Sequence, residues 1–133
     1  MSNYDLDLTL DDVLVLYDGR ENDTQIIQGG SAITELYPDL DDETIHQRTL
    51  KSLLRLNRAR LIEINWIKYG DFQQRQIDDS SLTQLLSVED NWHATSFLVE
   101  HLRYRLTERG WQALVSGMHQ YRDQLPGYSP GST

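Results

Sequence analysis

Apolar residues near the start of the chain recur at the three- and four-residue spacing of an α-helix. They begin directly after Thr9, which together with Asp12 has the residue types and separation of a capping box at the first turn of a helix. The apolar positions of this segment are Leu10, Val13, Leu14 and Tyr17. The pattern predicts a short first helix that ends near Asp18 and Gly19, followed by a polar loop with a short strand at residues 25–28.

Two more helices are predicted downstream. Ser31 is expected to cap the second helix, which must end at Tyr37 because Pro38 disfavours the helical conformation of the residue before it. Three successive acids suit a helix N-terminus, so the third helix is predicted to run from about Glu43 to Asn57. Its apolar residues fall on one half of a helical wheel: Ile45, Leu50, Leu53, Leu54 and Leu56.

The basic residues of the third helix occupy the other side of the wheel. At 100° per residue, they lie within roughly 80° of one another: Arg48, Lys51, Arg55 and Arg58. With Arg60, the segment 45–60 holds five of the twelve basic residues of the chain and none of its 21 acids. Like charges this close repel each other, so the cluster would be favoured by a bound anion such as phosphate or by the acidic remainder of the chain. A solvated basic face is an equally weighted alternative.

Two strands and a last helix complete the pattern. The first strand, at residues 61–67, is rich in branched and aromatic side chains. The second, at residues 101–106, alternates strictly between apolar and polar residues. The residues expected to face the interior are Ile62, Ile64, Trp66, Leu102, Tyr104 and Leu106. Thr107 then caps a last helix, whose apolar stripe consists of Trp111, Leu114, Val115, Met118 and Tyr121.

A long acidic insertion separates the two strands. Between residues 71 and 90, Arg75 is opposed by five acids, which are Asp71, Asp78, Asp79, Glu89 and Asp90. An insertion of this charge repels phosphate. Leu82, Leu85 and Leu86 have helical spacing, which predicts a short helix with a packing or dimer-contact role.

The order of helix, helix, basic helix, strand, wing, strand and helix resembles the winged helix-turn-helix domain of small prokaryotic transcription regulators, including the MarR-like and PadR-like groups. The resemblance spans residues 9–121. Within it, residues 33–40 resemble the first helix and turn of the motif, and residues 44–54 resemble the recognition helix. Residues 104–110 resemble the strand that runs from the wing into the closing helix.

The resemblance implies an α+β, mostly helical fold, a winged helix-turn-helix with a two-stranded wing and a long insertion between the wing strands. The domain is predicted at residues 9–123, with residues 70–98 as the extended wing or insertion. Residues 1–8 are predicted to be an N-terminal tail. Residues 124–133 contain two prolines and two glycines and are predicted to be a disordered C-terminal tail.

The resemblance also implies a DNA-binding transcription regulator, with a recognition helix at about residues 43–58 in the major groove. Arginine suits guanine because its planar fork donates two hydrogen bonds, whereas lysine and serine more often hold phosphate. The DNA-binding candidates are Thr44, Gln47, Arg48, Lys51, Ser52, Arg55, Arg58 and Arg60.

A homodimer would present two recognition helices to one duplex. The apolar stripe of the last helix is the predicted dimer interface, and packing against the first helix is an equally weighted alternative. A second function is also consistent with the sequence: an acidic winged-helix protein–protein interaction module, or adaptor, that binds no DNA and uses its acidic insertion.

Composition narrows the class of protein. A chain of 133 residues with 38% hydrophobic and 25% charged residues fits one globular domain. A formal net charge of −9 confines any DNA binding to a local surface. The sequence has no cysteine, no apolar run long enough to span a membrane and no signal-peptide pattern, so a cytoplasmic protein is expected.

The sequence lacks the motifs of catalytic and metal sites. Its four histidines are scattered, with no HExxH pattern: His46, His93, His101 and His119. Neither a GxSxG nucleophile motif nor a Walker or GxGxxG nucleotide motif is present. We therefore expect no enzyme, no catalytic residue, no metal and no cofactor.

Overall fold

The computed structural model describes residues 7–20, 24–68, 71–87 and 101–125. Within these residues the chain forms an α+β fold with five α-helices and one four-stranded antiparallel sheet, which confirms the α+β part of the predicted fold. The helices are α1 (Leu10–Asp18), α2 (Ser31–Leu36), α3 (Asp42–Arg58), α4 (Asp79–Leu86) and α5 (Glu108–Gln120). The strands are β1 (Thr24–Gln25), β2 (Ile62–Lys68), β3 (Asp71–Gln76) and β4 (His101–Leu106).

Helix α1 is at the centre of the core. The predicted capping box is present: the Asp12 N–H donates to Thr9 Oγ1 at 3.1 Å, and the Thr9 N–H donates to Asp12 Oδ2 at 3.0 Å. Four successive residues are fully buried, namely Val13, Leu14, Val15 and Leu16. They are buried on every side of the helix because α1 contacts α2, α3 and α5.

Helix α2 begins differently from the sequence prediction. Ser31 is its first residue and not its cap. Gly30 holds the cap position and has no side chain that could accept a capping hydrogen bond. Instead, Asp18 Oδ2 at the end of α1 accepts a hydrogen bond from the Ala32 N–H at 2.9 Å. The helix ends at Leu36, so the predicted stop before the proline is confirmed to within one residue.

The strand predicted at residues 25–28 is wrong beyond its first residue. The strand consists of Thr24 and Gln25, which pair with β4, and a 3-10 helix occupies residues 26–30. Gln28 Oε1 accepts a hydrogen bond from the Gln25 N–H at 3.2 Å, and this local cap favours the turn over a longer strand.

Helix α3 agrees with its prediction to within one residue at each end. Asp41 is its cap, and Asp41 Oδ1 accepts a hydrogen bond from the Thr44 N–H at 2.8 Å. At the other end, the Leu61 N–H donates to the Leu56 carbonyl and the Arg60 N–H donates to the Asn57 carbonyl, which is the Schellman pattern. Arg60 has a φ of 65°, a left-handed conformation that glycine adopts without strain.

The sheet has the strand order β1-β4-β2-β3, so the two strands predicted from the sequence are neighbours at its centre. Ile64 of β2 lies opposite Tyr104 of β4 in an antiparallel register. The residues of these strands predicted to face inward are buried where their side chains are described: Ile62, Ile64, Leu102, Tyr104 and Leu106. The Trp66 side chain lies outside the described part of the structure.

The insertion contributes more to the sheet than a two-stranded wing would. Strand β3 pairs with β2 at the sheet edge, and no strand was predicted there. The predicted short helix is confirmed as α4, with Leu82 and Leu86 buried. Asn57 Nδ2 of α3 donates to Asp79 Oδ1 at 2.9 Å, so α4 packs on α3.

Helix α5 packs along α1, which splits its predicted apolar stripe in two. Leu114 and Met118 are buried, whereas Trp111 is 39% exposed and Val115 is 53% exposed. Gly117 allows the close approach, because a Cβ at this position would lie 2.5 Å from a Val13 methyl group. The interior half of the stripe is therefore core and is not available to a second chain.

The start of α5 is fixed to the end of α3. The Thr107 N–H donates to the Leu61 carbonyl at 3.0 Å, and Thr107 Oγ1 donates to the Arg60 carbonyl at 2.7 Å. Thr107 is also the predicted cap of α5, accepting a hydrogen bond from the Gly110 N–H at 3.0 Å. A Cβ on Gly110 would collide with the Leu61 carbonyl, so only glycine permits this contact.

The two predicted tails are only partly described. Leu8 packs against the core, and the Tyr121 hydroxyl donates to its carbonyl at 2.7 Å. Leu125, which the sequence placed in the C-terminal tail, is 3% exposed. Residues 1–6 and 126–133 of the tails, and residues 88–98 of the insertion, lie outside the described residues.

Candidate functional site

The side of α3 that faces α1 carries an arginine–carboxylate pair. Arg48 Nε donates to Asp11 Oδ2 at 2.8 Å, and Arg48 Nη2 donates to Asp11 Oδ1 at 2.7 Å. The same guanidinium lies 4.4 Å from the centre of the Tyr37 ring. Hydrogen bonding to Asp11 raises the pKa of the Arg48 side chain above its ordinary value. This two-bond geometry is strong and uses the face of the guanidinium fork that would otherwise bind phosphate.

A second pair lies two turns further along the same side. Arg55 Nη2 is 3.3 Å from Asp12 Oδ2 and donates to the Asp7 carbonyl at 3.0 Å. The Asp12 side chain is 0% exposed, and it also belongs to the capping box of α1. Asp12 Oδ1 and Arg55 Nε are buried without a hydrogen-bond partner among the described residues. A buried carboxylate in this position depends on its arginine for compensation.

These two pairs correct the orientation expected for the basic face. Arg48 and Arg55 were expected to point away from the apolar side of the helix, but both lie against the carboxylates of α1. Ser52, another DNA-binding candidate, is 2% exposed and cannot reach a ligand at the surface. The reason is that α1 packs on α3 and covers one edge of the side that the helical wheel predicts to be exposed to solvent.

Four of the five other predicted contact residues are exposed. Lys51, Arg58 and Arg60 are exposed and form no ion pair with any residue that the structure describes. We call these three residues the basic row. Gln47, also exposed, donates from Nε2 to Glu43 Oε1 at 3.1 Å, whereas Thr44 is half-buried.

The geometry of α3 places three of the exposed side chains on one side of the helix. At 100° per residue, Gln47, Lys51 and Arg58 fall within about 40° of one another on the helix. At 1.5 Å per residue, the distance from Gln47 to Arg58 along the axis is roughly 17 Å. The arrangement is a narrow cationic strip near the C-terminal end of α3, where cations also interact favourably with the helix dipole.

The opposite end of α3 is acidic. Four exposed carboxylates surround its first turn, and we call them the acidic turn: Asp39, Asp41, Asp42 and Glu43. Hydrogen bonds from Thr44 lower the pKa of Asp41, so this carboxyl is ionised at neutral pH. Helix α3 therefore carries negative charge at its N-terminal end, which repels phosphate. Its positive charge lies toward the C-terminal end, which attracts phosphate.

The sequence missed Asp11 and Asp12 as partners of the basic helix. Arg48 is 37 residues from Asp11, and Arg55 is 43 residues from Asp12. Both acids lie in the first turn of α1, where acidic residues are expected because they cap a helix. There was therefore no reason in the sequence to look for a second partner. The second role follows from how α1 packs on α3, and no local pattern encodes that.

Among the described residues, no group of three or more histidines and acids is placed to hold a metal ion. No described helix combines the length and the apolar character needed to cross a membrane. Comparisons with protein-family models, with curated proteins and with solved structures give no match to this chain.

Proposed function

We propose that the chain is a DNA-binding module of winged-helix type that holds the phosphates of duplex DNA with the basic row of α3. The observation that carries the proposal is that Lys51, Arg58 and Arg60 are exposed and form no ion pair with a described residue. Lys51 and Arg58 also lie on the same side of α3. Unpaired, aligned cations are the electrostatic footprint of a phosphate-facing surface.

The order of elements supports this proposal. Helix α2, a turn at residues 37–41 and helix α3 follow each other in the order of a helix-turn-helix. Strands β2 and β4 are antiparallel neighbours, as the strands of a wing are, and β4 leads directly into α5. This similarity concerns only the order and arrangement of the elements. The exposed basic residues of α3 are the reason to expect DNA as the binding partner.

The acidic turn limits how α3 can meet the duplex. In helix-turn-helix proteins the N-terminal residues of the recognition helix contact base edges. In this chain the corresponding turn carries Asp39, Asp41, Asp42 and Glu43, which repel the phosphates on both sides of the groove. We therefore infer phosphate contacts by the basic row, with Gln47 as the candidate nearest to a base edge.

The experiment is fluorescence anisotropy of a labelled duplex of random sequence, titrated with the protein at several salt concentrations. Three phosphate contacts predict a slope of log K against log salt of about −2.7. Arg58→Glu should weaken binding at every salt concentration and reduce the slope by about one. Arg122→Glu is the matched control, since it reverses one exposed arginine outside α3.

The choice of variant follows from the paired arginines. Reversing Arg48 or Arg55 would place a carboxylate beside Asp11 or Asp12, so lost binding could be lost folding. Equal affinities for the wild type, Arg58→Glu and Arg122→Glu would contradict the assignment of the basic row. Absence of binding at the lowest salt concentration would contradict DNA binding altogether.

A second candidate function is a protein-interaction module, favoured by the acidic turn and by the exposed side chains of Trp111 and Val115. It would bind a basic partner through complementary charge. The same assay with a labelled oligolysine peptide tests it: Asp42→Asn with Glu43→Gln should weaken binding, whereas Asp123→Asn with Glu108→Gln should not. Strong oligolysine binding combined with no DNA binding would favour this function over the first.

A homodimer remains part of the proposal for DNA binding, because two basic rows would double the number of phosphate contacts. Of the predicted interface, Trp111 and Val115 are accessible and Tyr121 is half-buried, whereas Leu114 and Met118 are core residues. A dimer built on α5 would therefore centre on Trp111 and Val115.

A further inference from the structure

A surface cleft lies where the end of α1, strand β1 and the start of α2 meet. Its volume is about 240 Å³, and no residue of the basic row lines it. The lining residues are Tyr17, Asp18, Arg20, Thr24, Gln28 and Ser31. Most of these described lining residues are polar, and the acidic residue among them is Asp18.

Asp18 is held in this cleft by the backbone of α2. Its Oδ2 accepts the Ala32 N–H at 2.9 Å, and it forms no ion pair with a described residue. The nearby Arg20 guanidinium is engaged with Tyr17, because Nε donates to the Tyr17 carbonyl at 2.9 Å and the group lies 3.7 Å from the Tyr17 ring centre. Asp18 is thus a partly buried carboxylate beside a cleft, and the nearby Arg20 charge favours its ionised form without forming an ion pair with it.

We propose that this cleft is a binding site for a small organic cation, with a primary ammonium group donating hydrogen bonds to the Asp18 carboxylate. A cation offsets the desolvation of the carboxylate, which the Ala32 N–H offsets only in part. The site is also at the C-terminal end of α1, where the helix dipole favours positive charge. The Ser31 and Gln28 side chains at the wall provide further acceptors for ammonium hydrogens.

The charged and titratable groups around Asp18 give the site a pH signature. Burial, with a smaller contribution from Glu35 on α2, raises the pKa of Asp18 to about 7, while the Ala32 and Ser31 N–H groups and Arg20 oppose the shift. Tyr104 on β4 is fully buried, and burial raises its pKa further above the ordinary value, so it stays neutral near pH 7. Ionised Asp18 therefore rises from about a tenth at pH 6 to about nine tenths at pH 8. Affinity for an ammonium should rise about tenfold over that interval.

The experiment is a titration of the ¹⁵N-labelled full chain with ethylammonium chloride at pH 6 and pH 8, followed by NMR. The amides of Ala32 and Asp18 should shift and saturate at pH 8, with a Kd no tighter than about 1 mM for so small a ligand. Tetramethylammonium chloride at the same concentration is the control, because it has the charge but no N–H donor.

Two variants make the result decisive. Asp18→Asn keeps the acceptor for the Ala32 N–H and should abolish the saturable shift, whereas Asp123→Asn, at an exposed acid, should leave it unchanged. Ser31→Leu, at an exposed position, should fill the cleft and abolish the shift even if Asp18→Asn fails to fold. Equal shifts with tetramethylammonium, equal affinity at pH 6 and pH 8, or no shift at Ala32 would each overturn the proposal. None of these outcomes depends on DNA binding.

Discussion

The two sides of α3 carry the same kinds of residue in different settings. Toward α1, Arg48 and Arg55 each lie against a carboxylate, and the Asp12 carboxylate is fully buried. Toward solvent, Lys51 and Arg58 have no ion-pair partner among the described residues. A substitution on the first side should change stability, and one on the second side should change binding.

The same contrast occurs along α1. Asp12, at its first turn, has Arg55 as a compensating charge, whereas Asp18, at its last residue, has backbone N–H donors but no ion pair with a described residue. Burial raises the pKa of Asp18 to about 7, as is expected for a buried carboxyl without an ion pair.

The largest effect is expected from Arg55→Ala, which leaves the Asp12 carboxylate buried and unpaired. We expect the free energy of unfolding to fall by about 3 kcal/mol, the lower part of the range for a broken buried pair, because Arg55 itself is partly exposed. Arg58→Ala should change it by less than about 0.5 kcal/mol. Urea denaturation monitored by circular dichroism measures both. Similar losses in the two variants would remove the distinction between the sides of α3.

The second effect concerns pH. Asp18 has a pKa of about 7 in the folded protein and about 4 when unfolded, so between these values the folded state binds more protons. Its contribution to stability therefore falls as pH rises from about 4 to about 7 and is constant above. Three pKa units correspond to at most about 4 kcal/mol, and partial exposure reduces this to roughly 1–3 kcal/mol.

Asp18→Asn tests this sign, because the amide keeps the acceptor and cannot ionise. The variant should be more stable than the wild type at pH 8, and the difference should shrink toward pH 5. Urea denaturation of both proteins at several pH values gives this difference, and Asp123→Asn, at an exposed acid, is the control. A wild type that gains stability relative to Asp18→Asn between pH 5 and pH 8 would refute the sign.

The smallest effect is expected at Arg60, whose left-handed φ of 65° strains any residue with a Cβ. Arg60→Gly should raise the free energy of unfolding by about 1 kcal/mol. If the basic row binds phosphate, the same change should weaken DNA binding. Arg60→Ala separates the two, since it removes the guanidinium and keeps the strained Cβ. A glycine variant no more stable than the alanine variant would show that the strain is not significant.

Most elements of the fold could be predicted from periodicity and caps. Thr9, Asp41 and Thr107 are the caps of α1, α3 and α5, and each start lies within one residue of its prediction. Strand β3 could not be predicted, because its sequence DFQQRQ has no alternation of apolar and polar residues. The segment forms a strand because it pairs with the free edge of β2. That edge exists only in the tertiary structure.

The candidate site could be predicted only in part, for a related reason. A helical wheel gives the angle of Arg48 and Lys51 around α3, but it does not say which neighbouring helix covers that angle. They are about 60° apart on the wheel at 100° per residue, yet one pairs with Asp11 and the other is exposed. The difference is set by the packing of α1 on α3, which brings residues more than 30 positions apart into contact.

The hydrogen bonds of Thr107 and the close approach of Gly110 to Leu61 fix the end of α3 to the start of α5. These contacts couple the two helices, so we expect a displacement of α3 to be transmitted to α5. Trp111 follows Gly110 directly, and its indole is 39% exposed. We therefore expect a molecule that displaces α3 to change the emission of Trp111, which is measured in a variant whose other tryptophans, Trp66 and Trp92, are replaced.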